Sequence, residues 1–131
     1  MVGDTGTALH FDGQQWTGIG DGNAGTFWGI WGAAPDNVYL VGDSGDLRHW
    51  DGLAWTRVQS GTSARLRAIW GRNSDDVWVV GDQGLILHRT GGAWITSPSG
   101  TARNLTSLTG TTAGEVWVVG DGGLIMHRPA F

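Results

Sequence analysis

Short apolar segments separated by polar turns recur along the chain, most clearly between residues 66 and 97. The four segments found there are LRAIWG (66–71), DVWVVG (76–81), LILHR (85–89) and AWITS (93–97). Their length and their β-branched and aromatic residues predict β-strands, which we call a, b, c and d in chain order. Strands b and c are apolar at almost every position, so we expect both faces of the predicted sheet to be buried.

This pattern of four strands repeats every 39 residues. The triplet Val-Gly-Asp begins at residues 2, 41, 80 and 119, and the four histidines of the chain lie at residues 10, 49, 88 and 127. Alignment on this spacing divides the single domain into units 2–40, 41–79 and 80–118 and a partial unit 119–131. The predicted strand order is therefore c-d, a-b-c-d, a-b-c-d and a-b-c, and such periodicity is the signature of a repeat architecture.

The predicted connections between the strands are hairpin turns. Between b and c every copy reads Asp-x-Gly, in which Asp can bond a backbone amide two residues further on and Gly can take a positive φ. Between c and d the chain reads Asp-Gly at 12–13 and 51–52 and Thr-Gly at 90–91. Four-stranded antiparallel blades that cover each other's faces build a β-propeller. The sequence therefore predicts an all-β propeller with a 39-residue repeat and about three blades in the chain.

The repeat resembles bacterial propeller repeats of the Asp-box and tectonin kinds, and the resemblance covers the whole chain. Asp-box repeats connect their outer strands by a DGxxW hairpin, which two copies match: Asp12-Gly13 with Trp16, and Asp51-Gly52 with Trp55. The third copy has Thr90-Gly91 with Trp94 instead, and no copy has the usual Ser or Thr two residues before the Asp.

Tectonin repeats combine a tryptophan, a strand that contains Val-Trp and a segment Ile-x-Arg, in that order. Val77-Trp78 matches the second part, and Ile86 followed by Arg89 is similar to the third. Both resemblances imply the propeller fold. Tectonin-like proteins include lectins, so this resemblance also implies a carbohydrate ligand, although function on a propeller scaffold is decided by the site rather than by the fold.

The number of repeats predicts how the chain assembles. Closed propellers have about four to eight blades, so three blades cannot close a ring at ordinary angles between blades. If the C-terminal a-b-c accepts strand d from the N-terminus of another copy, each chain contributes three blades and one copy of strand c is surplus. We therefore expect a cyclic homo-oligomer, with a six-bladed homodimer favoured over a nine-bladed homotrimer. The alternative is that the chain is a fragment of a longer propeller.

Composition excludes several classes of function. The chain has no cysteine, so it forms neither a disulfide nor a thiolate–metal site. Its net charge is −4 and its eight basic residues are scattered arginines, a distribution unlike that of a nucleic-acid-binding surface. No apolar run approaches the roughly 18 residues of a membrane span, so we expect no membrane partner. The sequence leaves the cellular compartment open.

Catalytic chemistry has few candidate residues. Glycosidases need two carboxylates, or a tyrosine nucleophile with its base, placed together, whereas Glu115 and Tyr39 are the only residues of their kinds. Asp75 and Asp76, the one adjacent acid pair, fit a solvated turn. The histidines occupy one strand position in different units and are too far apart to share a metal ion. We expect each to bond a backbone carbonyl or the turn Asp of its own unit, and we predict no enzyme, no metal site and no cofactor.

Residues that break the 39-residue period are the candidates for ligand binding. Seven of the nine tryptophans follow the period, and we expect them to fill the space between blades. The exceptions are Trp28, which aligns with Arg67, and Trp50, which lies near Arg48 on strand c. Aromatic rings present apolar faces on which sugars can stack, and neighbouring polar groups can bond the hydroxyls.

The sequence thus predicts a lectin-like binding module with ligand residues Trp28, Trp50, Arg48 and Arg67. Trp28 is on the innermost predicted strand, so we expect it to line the channel of the ring or its rim. Two alternatives stay open. These residues could fill local gaps, and the chain could be a self-assembling propeller fragment, natural or engineered, that has no ligand of its own.

Overall fold

The structure is a computed structural model that describes residues 1–11, 13–18 and 25–129. Within these residues the strands form four antiparallel sheets, and the predicted all-β class is confirmed. The N-terminal hairpin pairs β1 (Leu9–Phe11) with β2 (Trp16–Gly18). The first sheet has the order β3 (Phe27–Ala34), β4 (Asn37–Gly42), β5 (Leu47–Trp50), β6 (Trp55–Val58).

Two further sheets follow along the chain. The middle sheet has the order β7 (Leu66–Asn73), β8 (Asp76–Gly81), β9 (Ile86–Thr90), β10 (Ala93–Thr96). The C-terminal sheet has the order β11 (Leu105–Gly110), β12 (Val116–Gly120), β13 (Leu124–Arg128). In every sheet, strands that follow one another in sequence are hydrogen-bonded neighbours, so each sheet is a simple meander.

The four strands predicted within residues 66–97 are confirmed. Strand β8 has the predicted bounds, whereas β7 continues past its predicted end at Gly71 as far as Asn73, because Asn73 still pairs with Asp76 at the start of β8. Corresponding strands also begin 39 residues apart, as β4 at Asn37 and β8 at Asp76 do. Asp12, which belongs to the first predicted Asp-Gly turn, lies outside the described residues.

The Asp-x-Gly turns have hairpin geometry, but the bond that closes them differs from the expected one. In the turn after β4, Ser44 and Gly45 have φ angles of 57° and 72°, and the amide of Asp46 donates to the carbonyl of Asp43 at 3.0 Å. Two successive positive φ angles are typical of a type I′ turn, whose twist matches that of the strands it joins. The expectation that the Asp side chain bonds a turn amide is wrong for Asp43, since its carboxylate binds two side chains outside the turn.

The sheets pack against one another in chain order, with one apolar core between each neighbouring pair. The buried residues of these cores are Ala8, Phe27 and Leu40; then Tyr39, Val41, Leu47, Leu66, Val79 and Leu87; then Trp78, Val80, Ile86, Leu105, Val116 and Val118. The first core joins the N-terminal hairpin to the first sheet, the second joins the first sheet to the middle sheet, and the third joins the middle sheet to the C-terminal sheet. Apolar burial of this kind is the main force that holds the stack together.

Tryptophans of the first strands lie on glycines of the next sheet. A Cβ atom placed on Gly71 would lie 2.5 Å from Cζ2 of Trp31, so the indole rests directly on the glycine backbone. Trp70 lies on Gly110 of the C-terminal sheet in the same way. Any larger residue at these two positions would push the ring away and open the contact between the sheets.

Burial ends at the two outer layers of the stack. The prediction that both faces are covered holds for strands β8 and β9, but it is wrong for the C-terminal sheet, whose far face exposes Trp117, Val119 and Ile125. The N-terminal hairpin exposes Phe11 and Trp16. The prediction that the periodic tryptophans fill gaps between sheets is therefore confirmed for the inner copies and wrong for Trp16 and Trp117, because no neighbouring sheet covers them within the described chain.

Candidate ligand-binding site

The first strands of the three larger sheets carry a β-bulge at the same place. The pairing register shifts between Phe27 and Gly29 in β3, and equivalent shifts in β7 and β11 leave Arg67 and Thr106 out of register. A bulge re-aims its side chain out of the regular alternation of the strand. Trp28 and Arg67, two of the predicted ligand residues, therefore occupy equivalent positions at the sheet edge that bears the Asp-x-Gly turns.

Trp28 forms a polar and aromatic contact with the turn that follows β4. Its side chain is 46% exposed, and its indole Nε1 donates a hydrogen bond to Oδ1 of Asp43 at 2.8 Å. Arg65 donates from Nε to the same oxygen at 2.7 Å, and its guanidinium carbon lies 5.1 Å from the centre of the Trp28 ring. The carboxylate thus fixes the indole and the guanidinium together, with the guanidinium placed over the aromatic face.

Arg67 forms the corresponding contact one unit further on. It is ion-paired with Asp82 of the turn after β8, and this hydrogen bond raises the pKa of the Arg67 guanidinium. The charges of Asp121 and Asp43 raise its pKa as well. The aspartates of three successive turns therefore act on one arginine, so these turns lie near one another at the same edge of the stack.

We call Trp28, Asp43, Arg65, Arg67 and Asp82 the turn-edge cluster. Three of its members, Asp43, Arg65 and Asp82, were not among the predicted ligand residues. The sequence does contain a signal for two of them, because every unit has an Asp at this turn although the backbone alone closes the turn. Chemically, the cluster combines an exposed aromatic ring with guanidinium donors and carboxylate acceptors, which suits a ligand that has one apolar face and several hydroxyl groups.

Arg48 lies elsewhere, in the core between the N-terminal hairpin and the first sheet. It is buried and forms a two-point ion pair with Asp46, with 2.9 Å from Nε to Oδ1 and 2.7 Å from Nη2 to Oδ2. Its guanidinium carbon lies 5.1 Å from the centre of the Phe27 ring. Binding of a ligand by Arg48 would require this pair to break, which leaves a buried charge without its partner and is costly.

Trp50 lines an apolar cleft at the opposite edge of the same contact. The cleft has a volume of about 490 Å³ and is lined by His10, Gly32, Pro35 and Val38 together with Trp50. The Trp50 ring is half-buried and lies 5.4 Å from that of Trp55. Trp50 and Arg48 are thus separated from the turn-edge cluster that holds Trp28 and Arg67, and the four predicted ligand residues do not form one site.

The histidines bind a different partner from the one expected. Nε2 of His88 lies 2.8 Å from Oδ1 of Asp76, the first residue of β8, and its ring stacks on Trp78 at 3.7 Å between centres. His49 makes the corresponding bond to Asn37 at 2.7 Å. The expected bond to the Asp of the b–c turn is therefore wrong for these two residues, because that turn lies at the other end of the strand. Burial lowers the pKa of His49.

The acid pair Asp75 and Asp76 is structural. The carboxylate of Asp75 accepts hydrogen bonds from the amides of Gly92 and Gly91 at 2.8 and 3.0 Å, and these bonds lower its pKa. In the first sheet the carboxylate of Asp51 performs the same task for its own c–d turn. Asp75 therefore supplies from the neighbouring loop the carboxylate that Thr90 does not provide.

Among the described residues, no three acidic or histidine side chains are grouped closely enough to hold a metal ion. In the same part of the chain, no helix is long and apolar enough to cross a membrane. No protein-family model matches the chain, and no curated protein is significantly similar to it.

Proposed function

We propose that this chain is a non-enzymatic binding module of the β-propeller type that closes into a ring with further copies of itself. The observation that carries the proposal is the mismatch between the inner and outer layers of the stack. Trp117, Val119 and Ile125 are exposed, whereas the same residue types at the same strand positions of the middle sheet are buried under the next sheet. An apolar face of this kind marks a surface made for a partner.

A second copy of the chain is the partner with the right surface. The inner sheets show which surface covers such a face: it is the opposite face of the following sheet, which carries residues such as Leu66, Leu87 and Trp94. In a ring, the first sheet of the second copy would supply this surface through Phe27, Leu40 and Trp55, and its N-terminal hairpin, which exposes Phe11 and Trp16, would join β11 to β13 in one blade. The two ends of the stack are thus complementary, as a head-to-tail interface requires, and head-to-tail contacts that close give rings.

The number of blades favours a dimer. The described residues form two four-stranded sheets, a two-stranded hairpin and a three-stranded sheet, and in the proposed ring the last two combine, between copies, into a third blade. Two chains then give six blades, within the range of closed propellers, and three chains give nine, outside that range. In such a ring the first strands lie innermost, and the turn-edge cluster surrounds one mouth of the channel.

A carbohydrate is the ligand that best fits the turn-edge cluster at this end of the channel. Trp28 offers a partly exposed indole, and Asp43, Asp82 and Arg67 offer acceptors and donors for hydroxyl groups. Oligomerisation would repeat the cluster around the channel, and several weak sugar sites on one rigid ring bind much more tightly than one site does.

A structural role without a ligand is the second candidate, and a particular contact favours it. Arg65 lies over the Trp28 ring, and both side chains share the carboxylate of Asp43, so the cluster satisfies its own hydrogen bonds. In this case the tryptophan holds neighbouring units together at the mouth of the ring, and the main property of the chain is self-assembly.

Native mass measured by light scattering tests the ring, and a glycan array tests the ligand. We expect a discrete oligomer, a dimer first, and glycan binding that Trp28→Ala abolishes and Trp50→Ala leaves largely intact. A well-folded monomer at all concentrations would overturn the ring. Intact oligomers with no glycan bound anywhere on the array would favour the structural role over the lectin-like one.

A further inference from the structure

A cavity lies between the middle sheet and the C-terminal sheet. It has a volume of about 300 Å³, and its walls include Trp78, Ile86, Val116, Val118 and Met126. All five are apolar, and the cavity borders the free side of β13, the last described strand of its sheet. An unfilled space of this size leaves its apolar lining atoms without contacts on one side, which costs packing energy.

The corresponding place between the first sheet and the middle sheet holds a tryptophan. There Trp94 of strand β10 packs into the core, and its ring lies edge-on to Tyr39 with 5.5 Å between ring centres. Tyr39 is the counterpart of Trp78, 39 residues earlier in the chain. A fourth-strand tryptophan is therefore the side chain that fills this space, and the described C-terminal sheet has three strands.

The residues around β13 are poorly suited to a fourth strand that follows directly. In the other sheets the turn into the fourth strand is held by the carboxylate of Asp51 or Asp75. The residues at those two positions next to β13 are Pro129 and Gly114, and neither has a carboxylate. A separate segment is thus a better source for the missing strand.

Trp16 has the position and the exposure that this segment requires. It lies on β2 at the same repeat position as Trp94, its side chain is 53% exposed, and its ring contacts Phe11 at 5.3 Å. Within one chain, the first and middle sheets separate the N-terminal hairpin from the cavity. We propose that the N-terminal hairpin of a second copy completes the C-terminal sheet and places its Trp16 in the cavity beside Trp78, an inference that rests on the proposed ring.

Two copies of strand c, β1 and β13, then compete for one place in the shared sheet. Ala8, which directly precedes β1, and the guanidinium of Arg48 both pack at the Phe27 ring, and both residues are buried. The other units have leucine or methionine at the position of Arg48, and leucine or isoleucine at the position of Ala8, so the large Arg48 is matched by the small Ala8. Strand β13 carries Ile125 at the position of Ala8, and this larger side chain would overfill the contact. Strand β1 therefore keeps the place and pairs with β12 of the other copy, while β13 is displaced.

Removal of the Trp16 indole tests whether this side chain fills the cavity of another copy. Trp16→Ala should raise the concentration at which half of the chains are assembled by roughly tenfold or more, as truncation of a buried tryptophan at an interface does. Trp16→Phe should retain assembly in part. The matched control is Leu53→Ala, because Leu53 is 90% exposed and should leave the native mass unchanged. Unchanged circular dichroism of Trp16→Ala would show that the loss is one of assembly and not of folding.

Disulfide trapping tests whether β1 or β13 pairs with β12. The chain has no cysteine, so any disulfide must form between the two introduced residues. The register of β12 with β13 pairs Val118 with Met126, so β1 in that place pairs Val118 with Leu9 of the other copy. An oxidised mixture of Val118→Cys and Leu9→Cys should give a disulfide-linked dimer. The register of β9 with β10 assigns the alternative pair, His127→Cys with Thr17→Cys, if β13 keeps its place.

The outcomes separate this inference from the proposed ring. A monomeric wild-type chain would overturn both. An oligomer whose mass and midpoint do not respond to Trp16→Ala would leave the ring standing and overturn the role of Trp16. A disulfide from the His127 and Thr17 pair in place of the Val118 and Leu9 pair would overturn the displacement of β13.

Discussion

The middle sheet and the C-terminal sheet present the same residues in two environments. Trp78 is 4% exposed and Trp117 is 42% exposed. Val80 is 0% exposed and Val119 is 40% exposed, and the fractions for Ile86 and Ile125 are 8% and 66%. Each pair has one residue type at one strand position, so the difference arises from the covering sheet and the fourth strand, which the middle sheet has and the described C-terminal sheet lacks.

This difference shows that the burial of these residues depends on the packing of neighbouring sheets and not on a single unit. A unit of this repeat forms its own hydrogen bonds as a meander but cannot cover both of its faces, as is general for repeat architectures. Among the described residues, the middle sheet packs against a sheet on each side, whereas the C-terminal sheet packs against one. Substitutions at matched positions can therefore separate what a residue contributes within a unit from what it contributes between units.

The largest effect is expected for the tryptophans of strand b. Trp78→Ala should lower the free energy of unfolding by about 3–5 kcal/mol, because it removes a buried indole from the core between two sheets. In the dilute monomer, Trp117→Ala should lower the free energy of unfolding by well under half of that amount. If the proposed ring forms, this loss should increase with protein concentration. Urea denaturation at two protein concentrations measures both effects. Equal losses for the two variants at low concentration would contradict the comparison.

Much of the structure within each unit could be predicted from the sequence. Short apolar segments, turn residues and the 39-residue spacing predict the strands, and β8 has the predicted bounds. The spacing also identified Trp28 as an exception to the period, and the structure places it in a β-bulge with a partly exposed ring. These features are local, so a short stretch of sequence suffices to specify them.

Features that depend on two side chains or two loops meeting in the fold were not predicted. Arg48 is a candidate ligand residue because it breaks the period, but Asp46, two residues earlier, breaks the period as well, and the two side chains form a buried ion pair. The period shows each exception by itself and does not show that the two side chains meet. Likewise, the role of Asp75 depends on the approach of a loop to the glycines of a distant turn, which no local pattern specifies.

A smaller effect is expected where the first sheet covers the middle sheet. Gly71→Ala should lower the free energy of unfolding by about 1–3 kcal/mol, since the added methyl group must displace the ring of Trp31. Gly32→Ala is the matched control at the same strand position of the first sheet. A Cβ there would meet Cγ2 of Val38 at 3.2 Å and no indole, so we expect a smaller loss. Thermal unfolding of the two variants measures the difference, and a greater loss for Gly32→Ala would refute the role of Trp31.

The smallest effect is expected at the turn between β9 and β10, which the middle sheet has and the C-terminal sheet lacks within the described residues. Asp75→Ala removes the acceptor of the Gly91 and Gly92 amides and should speed their hydrogen exchange without unfolding the sheet. Because the folded pKa of Asp75 is lowered, the bonds hold above its ordinary pKa and are lost as the pH falls through the folded pKa. Asp36→Ala is the matched control, since Asp36 has the same position in the first sheet, where Asp51 holds the turn. If Asp36→Ala exposed the turn amides of the first sheet as strongly as Asp75→Ala exposes those of the middle sheet, the two turns would share one mechanism and the assignment of Asp75 would be wrong.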